Sequence, residues 1–274
     1  MDPIVHPPET IEGWYTLHQV FAIDRVAMRG VTALGLESLS ESAAGALKEL
    51  QVAKEGGWSL LAPLVGARAD VMIIHFRPTM DDIVNVQRRI AREGLFDLFR
   101  PVAAFLGTTE AGLYNVTADL ARDAKKRDGA IRDAEYNAAL SERTLQERNA
   151  PHVRKRIYPA LPESMPYVSF NPINRRRDGT HNWYALPLEE RSRMMRAHSL
   201  TTRRFAGRVT QIVTGAVGLG DWEWGNTLFA KDPLDLKKLV TEMRYDEANA
   251  KYGEFGETFV GKMSGVDPWI ATLV

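Results

Sequence analysis

Apolar residues alternate or cluster in short runs along the first ninety positions. Trp14–Ile23, WYTLHQVFAI, is β-branched and aromatic behind Gly13, which predicts a strand. A polar, Ala-rich stretch near Ser40 to Lys54 predicts a helix. Val71–Phe76 is an unbroken apolar run suited to a buried strand, stopped by Pro78 and Thr79. A helix then begins near Met80, with Asp81 and Asp82 where the helix dipole favours anions. Ile83, Val86, Gln87 and Ile90 follow at helical spacing.

The same order returns about 150 residues later. Glu223–Phe229 reads as a strand, Lys231-Asp232-Pro233 as a turn, and Leu234, Leu236, Leu239, Val240 and Met243 as a helix face. Two explanations stay open: an internal duplication of an α+β unit, or the chance recurrence of a common pattern. Between the two, Ala118–Arg156 is rich in charge and alanine. It predicts an exposed helix or a partly mobile connector. Prolines 159, 162, 166 and 172 bracket a short extended piece, Tyr167–Phe170. Pro187 opens a further helix that runs to about Ala206, closed by Gly207.

Composition narrows the function. The 274 residues carry 35 basic and 35 acidic side chains, so net charge makes no case for nucleic acid or membrane. With 45% apolar and 26% charged residues the chain has the composition of a soluble globular protein. The sequence contains no cysteine, which removes disulfides, thiolate nucleophiles and Cys-ligated metals. The start MDPIVHPPETIEGW lacks the pattern of a secretory leader, and no run of about 18 apolar residues occurs. The expected location is the cytoplasm, with no nucleic acid and no membrane span. No GxGxxG after a strand, GxxxxGK[ST], GxSxG or HExxH occurs.

Candidate chemistry gathers in the second half. On the Pro187 helix, Met194, His198 and Thr202 fall on one face. A lone histidine there is either a satisfied core residue or an iron ligand that donates from its other nitrogen. In RVTQIVTG, Val209, Gln211 and Val213 share one strand face. If that face is buried, the Gln211 amide needs a partner or faces a ligand. Arg154–Arg156 and Arg175–Arg177 lie beside aromatic residues. They are either solvated surface or carboxylate-binding groups.

RIYPALP, YVSFNPINRRRDG, NWYALPLEERSRMMRAH, EWGNTLF and EMRYDEANAKYGEFG together resemble the chlorite dismutase-like superfamily, and within it the coproheme decarboxylase group. The similarity is dense in the second half and reaches the first through GARADVMIIHFRPT and TEAGLYN. The resemblance implies an α+β fold of two ferredoxin-like repeats forming a dimeric α+β barrel, assembled as a homopentamer. It divides the chain into an N-terminal repeat (1–117), a charged helical connector (118–157) and a C-terminal repeat (158–274) carrying the porphyrin.

It also implies the site. His198 would be the proximal ligand of an iron porphyrin, coproheme or haem b, and Gln211 the distal residue. True chlorite dismutases have arginine at the position of Gln211, so glutamine implies the decarboxylase group. Arg156, Tyr114, Trp183 and Arg175 would contact propionates, with Arg175 in place of the group's usual lysine. Asn171 departs from the pattern: the decarboxylases have there the tyrosine that abstracts hydrogen. Tyr167 shares its strand face but lies about 13 Å along it. Asp246 and Glu247 are the candidates to support His198. The implied activity is peroxide-dependent decarboxylation of coproheme to haem b. The alternatives are a haem-binding protein with weak peroxidase activity and a structural oligomer without cofactor.

Overall fold

The computed structural model describes residues 5–51, 56–66 and 68–273. The first half runs β1 (Thr10–Ile23), α1 (Arg25–Gly30), α2 (Ala33–Gln51), β2 (Trp58–Pro63), β3 (Val71–Arg77), α3 (Met80–Ala91) and β4 (Phe99–Gly112). The helix expected near Ser40 to Lys54 is α2; Lys54 lies outside the described residues. The α3 start is fixed by a capping box, in which Thr79 Oγ1 accepts from Asp82 N at 3.1 Å and Asp82 Oδ2 from Thr79 N at 3.2 Å.

Three helices follow: α4 (Tyr114–Lys126), α5 (Ala134–Asn149) and α6 (Pro151–Ile157). Helix α4 continues through positions 117 and 118. The charged segment is anchored rather than loose, because Tyr136, Val153 and Ile157 pack against Ile11, Ala111 and Leu120.

The second half runs β5 (Tyr167–Arg175), the short hairpin β6 (Arg177–Asp178) and β7 (His181–Asn182), then α7 (Leu188–Arg203), β8 (Val209–Gly215) and β9 (Trp224–Ala230). It ends with α8 (Pro233–Tyr245), α9 (Glu247–Tyr252), β10 (Gly253–Phe255), β11 (Phe259–Lys262) and α10 (Val266–Ile270).

Strand order decides between duplication and chance. The first half is ordered β4-β1-β3-β2, antiparallel throughout. The second repeats that order, with β10 and β11 in the place of β4: β10/β11-β5-β9-β8. Each is a ferredoxin-like unit. Pairing of Thr108 with Gly215 and Thr109 with Thr214 joins the two along one edge. Bridges Leu61–Ser264 and Leu64–Gly261 join them along the other, closing a barrel. Its interior is an apolar core that includes Trp58, Phe76, Phe105, Phe170 and Phe229.

One polar link crosses that core. His18 of β1 shares a 2.9 Å hydrogen bond with the Thr227 hydroxyl of β9 and stacks on Phe170 at 4.1 Å between ring centroids. Complete burial lowers its pKa to about 3, so the imidazole is neutral. Side chains alternate along each strand. The opposite face of β5, β8 and β9 therefore points away from the barrel, toward α7 and α8.

Candidate functional site

Between α7 and the outer face of β5, β8 and β9 lies a cleft of about 1170 Å3, counted with the solvent space open at its mouth. Tyr114, Arg156, Arg175, His198 and Gln211 all line it. They come from α4, α6, β5, α7 and β8. The fold thus brings together residues that sequence spacing leaves up to 97 positions apart, from Tyr114 to Gln211.

His198 is oriented from behind. Its Nδ1 lies 2.8 Å from Asp246 Oδ2, with the imidazole 14% and the carboxylate 7% exposed. A carboxylate only accepts, so this contact puts a proton on Nδ1, and in the neutral ring Nε2 is then the nitrogen open to a ligand. That is the tautomer of a histidine metal ligand backed by an acid. Asp246 is in turn fixed as the N-cap of α9, accepting from Asn249 N at 3.0 Å and from Asn249 Nδ2 at 3.2 Å. Glu247, the other candidate, instead pairs with Arg193 and Lys251, each at 2.8 Å.

Of the three residues expected on one α7 face, His198 and Thr202 line the cleft and Met194 does not. Met195, His198, Ser199 and Thr202 line the cleft. Met194 turns away and is buried with Trp183, Ala248 and Tyr252. Across the cleft, Gln211 is half-buried and its Nε2 donates to Asn226 Oδ1 at 2.8 Å. The amide expected among valines therefore has a polar partner on the neighbouring strand.

Arg175 is nearly buried. Its Nη1 donates to Ala248 O at 2.8 Å and to Asn249 Oδ1 at 3.0 Å, and the guanidinium lies 4.8 Å from the Trp183 ring centre. Asn249 thus ties Arg175 to the Asp246–His198 pair. Burial pulls the Arg175 pKa down, partly opposed by Tyr114 and Asp246. Among the described residues no carboxylate pairs with its guanidinium. Burial likewise pushes the Tyr114 phenol up, so it remains a hydrogen-bond donor.

Two expected contacts sit differently. Trp183 is buried behind Arg175 and does not line the cleft. Asn171 lies on the outward side of β5, opposite Asn226 in register, but is buried and outside the cleft lining. Tyr167 packs beside the cluster of Phe205, Leu228 and Leu236, away from the cleft. Arg154, Lys155 and Arg177 are surface residues.

The sequence reading passed over Arg196, Glu110, Trp224 and Asn226, all of which line the cleft. Arg196 stands within the MMRAH string that carries His198, which was its signal. Glu110 accepts from Trp224 Nε1 at 3.0 Å. The donor set fits an iron porphyrin: one histidine with a free nitrogen, an amide opposite it, and arginines at the rim for acidic arms.

Comparison with known proteins gives the family. Residues 37–264 match the family model described as chlorite dismutase. A coproheme decarboxylase of Staphylococcus saprophyticus is 35% identical over 256 residues, covering 93% of each chain. One from Thermus thermophilus is 35% identical over 262 residues, covering 94% of this chain and 93% of the other. Among solved structures, a heme-binding protein from Thermus thermophilus superposes with a TM-score of 0.83 at 32% identity, covering 99% of each chain. A mutant chlorite dismutase from Candidatus Nitrospira defluvii superposes with a TM-score of 0.70 at 17% identity over 96% of each chain, a likeness of fold alone.

Proposed function

The chain belongs to the chlorite dismutase family, and we propose that it is a haem-pathway enzyme that decarboxylates coproheme to haem b with hydrogen peroxide. The observation that carries this reading is the His198–Asp246 pair facing Gln211 across a cleft edged by Arg156, Arg175 and Arg196. In the overall reaction each of two propionate arms loses one hydrogen and carbon dioxide and becomes a vinyl group. One peroxide per arm takes up the two electrons and leaves as two waters. The iron porphyrin, when bound, supplies the redox chemistry with peroxide.

The protein supplies position and exclusion of water. His198 holds the iron through Nε2, while Asp246 keeps Nδ1 protonated and the ring fixed. Arg175, held on Trp183 and with no carboxylate partner among the described residues, takes a propionate by charge-assisted hydrogen bonds, as does Arg156 at the rim. Tyr114 donates its phenol to the same carboxylates. Gln211 is a neutral polar group on the opposite side, with no positive charge to hold an anionic oxidant. We further propose a cytoplasmic homopentamer and the three-part division of the chain at 117 and 157.

Asn171 favours a second reading, a haem-binding protein that has lost decarboxylation, because an amide does not form a stable radical. Among the described residues lining the cleft, Tyr114 is the remaining phenol. The deciding experiment loads the protein with ferric coproheme, titrates peroxide and follows product mass. Loss of two carboxyl groups is the expected outcome. Coproheme bound but unconverted would establish the second reading, and recovery in Asn171→Tyr would assign the loss to that position.

A further inference from the structure

A second, open cavity, of about 1300 Å3 with the solvent space at its mouth, shares Glu110, Gly112, Tyr114 and Trp224 with the cleft. Much of its remaining wall is apolar, including Pro7, Pro8, Val217 and Leu219. Arg191, two turns before His198 on α7, lines it although the residue is only 3% exposed. Its guanidinium donates to the His6 carbonyl, and its Nε is buried with no hydrogen-bond partner. The Tyr184 hydroxyl and His6 Nε2, on the same cavity, are also buried with no partner at ordinary hydrogen-bond geometry.

A buried guanidinium without an anion is costly, and protein interiors pair such charges. Among the described residues no carboxylate pairs with Arg191. The acids on this cavity are engaged elsewhere: Glu110 accepts from Trp224, and Glu12 from the Thr10 hydroxyl. The groups acting electrostatically on Arg191 are the Tyr114 and Tyr184 phenols. Burial first, and then hydrogen bonding with the nearby Glu223 carboxylate, raise the Tyr184 pKa, so the phenol keeps its proton and an acid bound here competes with Glu223 for it.

The geometry points to a carboxylate-binding subsite in which Arg191 and the Tyr184 hydroxyl hold an acid group whose apolar body lies against the Pro7–Leu219 wall. The acid has two sources with the same chemistry. One is a propionate arm of a porphyrin in the adjoining cleft, which rests on the function proposed above. The other is a free amphipathic carboxylic acid, which does not.

The test uses the full chain with Arg191→Met, Arg191→Lys and Tyr184→Phe, each checked for folding by circular dichroism. Ferric coproheme is titrated by absorbance, and 3-phenylpropionate is titrated into porphyrin-free protein by thermal shift. Arg191→Met is expected to weaken binding about tenfold, and Tyr184→Phe and Arg191→Lys by about threefold. Weakening confined to coproheme assigns the arm; weakening confined to phenylpropionate assigns the free acid. Unchanged binding of both ligands overturns the subsite. So does dissociation of an oligomer by Arg191→Met with binding intact, which would assign Arg191 to a carboxylate of a second copy. If Arg191→Met fails to fold, Arg191→Lys and Tyr184→Phe decide on the same criteria. Failure of wild type to bind coproheme would instead sink the proposed function, while the phenylpropionate titration would still decide this site.

Discussion

The two repeats share one topology and differ in what fills the gap between sheet and helices. In the first, Phe21, Ala43, Leu47, Leu61, Ile73, Val86 and Ile90 close the gap, with Trp269 of α10 packed on the cluster. In the second, the same gap holds the cleft. Counting back from each hairpin loop, the Leu61–Ile73 pair of β2 and β3 corresponds to Val213–Asn226 of β8 and β9. Ser59–His75 corresponds to Gln211–Leu228. One isoleucine has become asparagine, and its amide oxygen holds Gln211. The helices differ likewise: α2 buries Ser40, Ala43, Ala44 and Ala46 and approaches closely, whereas α7 offers Met195, His198, Ser199 and Thr202. Side-chain volume and polarity on two facing surfaces, rather than topology, make the site.

The harshest test of that comparison is Ile73→Asn. In a filled gap the amide replaces packed methyl groups, and the variant is expected to lose about 3–5 kcal/mol in urea unfolding. It should gain no second porphyrin in a titration of binding stoichiometry. The reciprocal Asn226→Ile removes the Gln211 partner beside an open cleft, and its expected cost is within about 1 kcal/mol. If Ile73→Asn costs as little as Asn226→Ile, the first repeat is not closed by packing and the comparison fails.

Next in size is the support of His198, which has no counterpart in the filled repeat. Asp246→Asn is expected to weaken binding of the iron porphyrin about 10- to 100-fold, read by absorbance titration. Asparagine is itself a good N-cap, so α9 should persist and the melting temperature should hardly move. Glu247→Gln, whose carboxylate pairs with Arg193 and Lys251, is the matched control with affinity unchanged. Equal losses in both variants would mean that the α9 region as a whole, and not the Asp246–Nδ1 bond, positions the ring.

The duplication was legible because both β3–α3 and β9–α8 carry a buried strand, a capped turn and a helical stripe in unbroken sequence. Strand β4 was not, because Pro101, Gly107 and Gly112 interrupt its pattern and its burial alternates only in the second half. On α7, helical spacing put Met194, four residues before His198, on the face that Met195 occupies in the structure. The packing of Met194 with Trp183 and Tyr252 chose between them, and that packing is tertiary. The resemblance supplied His198, Gln211 and the acid pair Asp246 and Glu247, but the choice of Asp246 rests on a bond between residues 48 apart, which follows no spacing rule. Nor does any local signal place Trp183 behind Arg175 and on the second cavity instead of in the cleft. What periodicity encodes is which face is apolar; which polar groups meet there is settled by the barrel's closure.

The smallest effect concerns Glu110, a carboxyl that the open cleft tolerates. Burial raises its pKa, with Trp224 and Arg156 opposing and Glu12 adding to the rise. Below the ordinary carboxylate value both folded and unfolded chains hold this proton, and the group is neutral to stability. As pH rises, the unfolded chain releases the proton first, so the native state loses stability until its own raised pKa is passed. Glu110→Gln removes that loss and still lets Trp224 Nε1 donate to the amide oxygen. Its melting temperature should match wild type near pH 3.5 and exceed it by about 1–2 °C at pH 8. A difference that shrinks or reverses with rising pH would mean that the Arg156 cation outweighs burial. Glu110 would then be a paired structural anion, and this wall of the cleft would be polar by compensation rather than at a cost in stability.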